Sequence, residues 1–337
     1  MTSFASWARA RGASLEGERV RDFGDPELEA RALREGAGLW GRAGWEVIRL
    51  GGGDRLSFLH KYCTQDVAKL PPGRSTYACC LTVKGTLVGE FTLHAEADAA
   101  LLVTPPGGAA PLLAHLGKYA VFDDVQLALA DDLSLLSVYG PAAPAAVAKA
   151  LGVSAPEAGA NLRVEHAGAS LLVGRDDPAG VPGFDLFVPS EGCAALAEAL
   201  AAVATPVGEW AVERLRVEQG WPLFGVDMSE KTIPTEAGLK ERAVSFSKGC
   251  YLGQEVVVRI EHRGHVNRSL VGLSLPPGAG PAPLPVFLGE KEVGQVTTIS
   301  GEAGIGILHR KATEPDTRVR LGAPDGPEAT VCGLPRE

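Results

Sequence analysis

No run of eighteen apolar residues occurs anywhere in the 337-residue chain, so nothing in it reads as a membrane-spanning helix. The opening, Met1-Thr2-Ser3-Phe4-Ala5-Ser6-Trp7-Ala8-Arg9, lacks an apolar stretch of secretory-signal length. An organelle transit peptide, which its Arg and Ser would also allow, finds no support in the Ala- and Gly-rich chain as a whole, and a cytoplasmic protein is expected. Cysteine is sparse. The six, Cys63, Cys79, Cys80, Cys193, Cys250 and Cys332, include one adjacent pair but no C-x-x-C. They are too few for a disulfide framework in a chain this long and are expected to be reduced. Zinc and iron–sulfur centres draw on close-spaced cysteine pairs, so no resident metal or cluster is expected, and any iron–sulfur role would be indirect.

Positive charge is also scarce: the formal charge is −9, which argues against a general nucleic-acid or anionic-membrane binder. Its distribution is uneven. Residues 90–200 hold four Lys and Arg among 14 acidic residues, whereas residues 231–268 hold seven against four Glu. That local excess is either a solvated basic face or the rim of a pocket for an anionic ligand, with Lys248, Arg259 and Arg268 placed to line it. The triple glycine Gly51-Gly52-Gly53 has no following Gly-Lys-Ser/Thr and no G-x-G-x-x-G spacing, so it reads as a turn and not a phosphate loop.

What is present is a sizeable apolar fraction, 45%, enough for the cores of two or three domains. Strand patterns at Trp45–Leu50, Ser75–Val83, Thr86–His94, Ala100–Thr104, Val125–Ala130, Leu133–Tyr139, Leu162–His166, Ser170–Val173 and Phe184–Val188 mix with helical stretches near Ala109–Tyr119, Pro141–Leu151, Gly192–Val203 and Glu209–Gln219. Lys84-Gly85 looks like a hairpin turn. Without regular βαβ alternation the pattern favours an α+β fold. After Arg268 short strands broken by Gly and Pro fit a small β-barrel, with Pro276–Pro285 as a linker.

The most specific stretch is Lys248-Gly249-Cys250-Tyr251-Leu252-Gly253-Gln254-Glu255. A thiol between two glycines, two residues after an ammonium, points to a reactive cysteine, because a nearby cation favours the thiolate and glycine admits close approach. A buried structural cysteine is the competing reading. The octet resembles the K-G-C-[FYT]-[IL]-G-Q-E motif of the YgfZ-type folate-binding proteins of iron–sulfur cluster metabolism, within the superfamily of the glycine-cleavage T-protein, an aminomethyltransferase. Leu50–Arg55 with Phe58-Leu59 and Thr64–Val67, Tyr139-Gly140-Pro141, and Arg216–Pro222 with Gly225 and Asp227 resemble further segments of that superfamily in the same order.

The resemblance implies a three-domain cloverleaf around a folate site, with residues 1–135 and 136–265 as two parts of a folate-binding region that can interleave and residues 266–337 as a C-terminal β-barrel. It implies tetrahydrofolate as cofactor, Cys250 with Lys248 as the working pair, Asp185 at the pterin edge and Arg216 on the glutamate tail. Glu90, Tyr251, Glu255 and Arg259 complete the expected folate contacts, and Trp221 and Phe224 are aromatic candidates for ring stacking or core. His262 and His265 are read as loop residues. Gly89-Glu90 stands where T-proteins carry an aspartate pair. Two functions follow: a tetrahydrofolate-binding accessory protein that partners iron–sulfur clients or assembly proteins, or a folate-dependent aminomethyltransferase or related one-carbon transferase.

Overall fold

The computed structural model describes residues 3–177 and 180–334. They fall into two compact units, and each is assembled from separate stretches of chain: the first from residues up to Phe58, Ala68–Tyr77 and Phe91–Leu215, the second from Leu59–Val67, Ala78–Glu90 and everything from Arg216 onward.

In the first unit a six-stranded sheet runs in the order Asn161–His166, Ala169–Arg175, Gly183–Pro189, Leu133–Tyr139, Gly38–Gly41, Thr205–Pro206. All neighbours are antiparallel except the last, which pairs parallel with Gly38–Gly41. The two-residue period of a strand sorts its side chains between two cores. Phe184, Leu186 and Val188 point to one face, where Leu136, Val138, Val147, Leu196 and Leu200 join them. Leu135, Leu172 and Phe187 point to the other, against Val47, Leu101 and Val103. The helix Ala143–Leu151 buries Ala143, Ala146, Val147 and Leu151, an amphipathic spacing, and ends at Gly152, whose left-handed φ of 70° lets its N–H cap the Ala148 carbonyl.

A five-stranded sheet has the order Ser75–Leu81, Leu87–Ala95, Ala99–Thr104, Glu46–Gly51, Gln126–Leu129. Its first two strands leave the first unit after Tyr77 and re-enter it at Phe91. Between them the expected hairpin turns at Lys84-Gly85, closed by the Gly85 N–H to the Thr82 carbonyl.

The second unit carries a closed six-stranded barrel, Arg268–Ser274, Ala303–His309, Lys291–Ser300, Leu284–Leu288, Arg318–Leu321, Glu328–Cys332, with the last strand paired back to the first. Val271, Leu273, Val286, Val296, Leu308, Val319 and Val331 fill it. The proline- and glycine-rich run expected as a linker joins two strands of this barrel, Arg268–Ser274 and Leu284–Leu288. A second difference concerns Gln254–Arg263, which is a helix and holds His262. Val256-Val257-Val258 favours strand by local propensity, but Val257 is wholly buried and the tertiary packing decides.

Candidate functional site

Lys248 is buried, and its ammonium donates to three backbone carbonyls, those of His60 at 2.7 Å, Cys63 at 2.8 Å and Gln65 at 2.8 Å. These acceptors lie in and just beyond the last turn of helix Arg55–Tyr62, where carbonyls lack intrahelical partners and the dipole is negative. The Leu252 N–H adds a bond to the Lys61 carbonyl, so the octet is strapped to the end of that helix. The Lys248 ammonium also sits 4.8 Å from the centre of the Tyr251 ring. Burial pushes its pKa down, opposed by Cys63, Asp66 and Cys80. The expected pairing of Lys248 with Cys250 therefore has a competitor: the ammonium already donates to three carbonyls at the end of the helix.

The two glycines of the octet differ. Gly253 has φ +82°, and a Cβ there would lie 2.4 Å from the Thr82 carbonyl oxygen, so the fold requires glycine. At Gly249 a Cβ would meet nothing within 4 Å. Next to it Cys250 is exposed, whereas Cys63, Cys79, Cys80 and Cys193 are buried. Burial raises the Cys63 thiol to about 11 and pushes Cys79 and Cys80 up as well. Tyr251 is buried, its pKa pushed up to about 12 by burial, and its hydroxyl has no hydrogen-bond partner. The indole N–H of Trp221 also has no hydrogen-bond partner, and the centre of its ring lies 5.4 Å from the Arg242 guanidinium. Glu255 and Arg259 stand exposed on the first and second turns of helix Gln254–Arg263.

Arg216 has a partner different from the expected anionic tail. It is buried, with Nη1 donating to Asp227 Oδ2 at 2.5 Å and to the Trp221 carbonyl at 2.7 Å, and Nη2 donating to Thr298 Oγ1 at 3.0 Å. Thr297 and Thr298 donate to the other Asp227 oxygen at 2.5 and 2.6 Å, which ties the turn after helix Glu209–Glu218 to the barrel strand Lys291–Ser300. Glu90 is 2% exposed and accepts the Phe224 N–H at 2.7 Å, so its carboxylate is used by backbone as well.

In the first unit, Asp185 is likewise enclosed. Both its oxygens accept from Arg42 Nη1 at 2.7 Å, and Ser137 Oγ donates at 2.6 Å. The register explains the cluster: Asp185 pairs with Ser137, Ser137 pairs with Trp40, and Arg42 is two residues further on the same strand edge. The Arg42 guanidinium stacks 3.5 Å from the Trp45 ring centre and 5.3 Å from that of Trp40. The expected pterin-edge carboxylate is therefore half of a buried ion pair, and Arg42, absent from the sequence-based candidates, is the other half.

Beside this cluster Glu209 accepts from the Trp40 indole N–H at 3.3 Å, and burial raises its pKa from 4.5 to about 7, against the pull of Arg19. A raised folded-state value means that the native protein holds a proton the unfolded chain releases between those two pH values. The contribution of Glu209 to stability is then full below pH 4.5 and is lost as pH rises to about 7. Glu209→Gln is expected to flatten this decline, gaining about 2 kcal/mol on the native protein between pH 5 and pH 8. Urea midpoints at both pH values measure it, and parallel profiles would rule it out.

Among the described residues no group of three His, Cys, Asp or Glu side chains could hold a metal ion, and no helix is long and apolar enough to cross a membrane. The fold is that of the glycine cleavage system aminomethyltransferase T from Bartonella henselae, with a TM-score of 0.84 at 24% identity over 97% of this chain and 95% of that one. The family described as GCVT N-terminal domain matches residues 1–248, and the chain belongs to it. It is 31% identical to the aminomethyltransferase of Geobacillus kaustophilus strain HTA426 over 310 residues, 88% of this chain and 84% of that protein. With the aminomethyltransferase of Bacillus mycoides strain KBAB4 it shares 27% over 332 residues, 90% of each.

Proposed function

We propose that this protein binds tetrahydrofolate and serves folate-dependent one-carbon transfer. Family membership and the naming of its relatives as aminomethyltransferases support this reading over the accessory role. The observation in the chain that carries folate binding is the pair of buried, unpartnered donors Trp221 Nε1 and Tyr251 Oη. Each costs about 1–3 kcal/mol while unsatisfied, and a ligand rich in acceptors offsets that cost. A pterin supplies a carbonyl and ring nitrogens as acceptors, together with flat faces suited to aromatic neighbours. Bound tetrahydrofolate would supply the one-carbon-accepting nitrogen, and Trp221 and Tyr251 would hold its ring. Asp185 and Arg216 enter the proposal as supports of their surroundings, since Arg42 and Asp227 already neutralise them.

A second reading has its own observation. Cys250 is exposed beside a glycine that the fold does not require, while one oxygen of the buried Glu90 carboxylate accepts the Phe224 N–H. That combination favours the YgfZ-type accessory, in which the thiol serves iron–sulfur clients and no carboxylate assists transfer.

Titration with tetrahydrofolate, followed by a turnover assay with an aminomethyl donor, separates the two. Binding with turnover supports the transferase. Binding without turnover, together with failure of Cys250→Ser to restore iron–sulfur enzyme activity in cells lacking the protein, supports the accessory. Trp221→Phe and Tyr251→Phe are each expected to weaken binding about tenfold, the effect of about 1.4 kcal/mol. Absence of binding by the folded native protein would overturn both readings.

A further inference from the structure

Three of the buried thiols, Cys63, Cys79 and Cys80, come from two segments of the second unit, Leu59–Val67 and Ala78–Glu90. Cys63 and Cys80 are directly opposite each other in an isolated antiparallel bridge. The flanking bond runs from the Thr64 N–H to the Cys79 carbonyl at 2.9 Å, which makes 63 and 80 a non-hydrogen-bonded pair. Such pairs bring their Cα atoms to about 4.5 Å with side chains on the same face, and disulfides span Cα separations of about 4.4–6.8 Å. Cys79, one residue along its strand, directs its side chain to the opposite face.

We propose that Cys63 and Cys80 form a redox modification site, closing to a cross-strand disulfide by exchange with a low-molecular-weight disulfide. The Cys63 thiolate attacks one sulfur of the external disulfide and expels one thiol, leaving a mixed disulfide on Cys63. The Cys80 thiolate then attacks the Cys63 sulfur and expels the second. The two protons lost by the cysteines pass to the two released thiols, and the external disulfide is the species reduced.

Surroundings favour Cys63 as the first to react. It belongs to the segment that also supplies carbonyls to Lys248, and the Lys248 ammonium opposes the burial that pushes its thiol up. Both sulfurs are fully buried, so exchange proceeds through local opening of the Cys63–Val67 segment and is slow in the resting protein. The linkage would fix the Cys63 carbonyl, an acceptor of the Lys248 ammonium, to strand Ser75–Leu81, and through it the octet.

The test uses the full chain in the Cys250→Ser background, which removes the exposed thiol of the octet. Incubation with oxidised glutathione, with and without urea just below the unfolding transition, is followed by acid quench, alkylation and peptide mass spectrometry. The expected product is one linked peptide pair joining Cys63 to Cys80, two hydrogens lighter than its reduced form, appearing faster in urea. Its urea unfolding midpoint should shift upward relative to the reduced protein. Cys63→Ala and Cys80→Ala should each abolish the internal link and leave the other cysteine as a glutathione adduct. A Cys79–Cys80 or Cys63–Cys79 link, or thiols that stay unlinked even in urea, would overturn the proposal.

Discussion

Asp227→Ala should unfold in urea with a loss of about 3–5 kcal/mol, because it strands the Arg216 guanidinium in a buried position without its counter-charge. The substitution also removes the acceptor for Thr297 and Thr298, so the barrel strand loses two hydrogen bonds to the turn after helix Glu209–Glu218. Asp227→Asn keeps the shape but not the charge, and should fall between the native protein and the alanine variant. Arg216→Met with Asp227→Leu, which removes both charges and restores apolar volume, should recover much of the loss. A loss below about 1 kcal/mol for Asp227→Ala would mean that the pair is solvated and contributes little, as exposed pairs do.

Lys248→Met is the second large effect expected. The thioether replaces the stem of the lysine but leaves the carbonyls of His60, Cys63 and Gln65 without their donor, at a cost of about 2–4 kcal/mol. The more informative measurement is the alkylation rate of Cys250. If Lys248 acts by strapping the octet, Lys248→Met raises the rate by loosening the chain around an already exposed thiol. If the ammonium activates the thiolate, the same variant lowers the rate, and the positional role assigned to Lys248 is wrong.

How far the sequence foretold this molecule depended on whether the deciding signal was local. The hairpin at Lys84-Gly85 is written in two residues, and Gly85 takes the positive φ of 76° that the turn needs. The barrel announced itself by short apolar strands separated by Gly and Pro, and its class followed. Helix Gln254–Arg263 did not, because three adjacent valines and a glycine at its start argue locally for a strand. The site residues divide in the same way. That Cys250 was worth singling out could be read from its glycine neighbours, and its exposure is consistent with that. The partner of Asp185 could not be read, since Arg42 lies 143 residues away and nothing in Gly41-Arg42-Ala43 marks a buried guanidinium. Alternation along Leu39-Trp40-Gly41-Arg42 puts Arg42 on the face of Trp40, the one hint available. The partners of Lys248 were hidden for a related reason: adjacency in sequence points to Cys250, whereas its carbonyl acceptors come from residues 60–65.

The interleaving of the two units sets an order for the chain's emergence from a ribosome. Leu59–Val67 and Ala78–Glu90 are made early, yet the rest of their unit begins only at Arg216. Domains assemble as their sequence becomes available, so these segments wait through the synthesis of the intervening stretch with their eventual cover missing. Cys63, Cys79 and Cys80, fully buried in the finished protein, are therefore open to solvent and to oxidants for that interval. The newborn polypeptide thus passes through a window of thiol vulnerability that the mature one has closed, and chaperone capture or a reducing surrounding would matter most there.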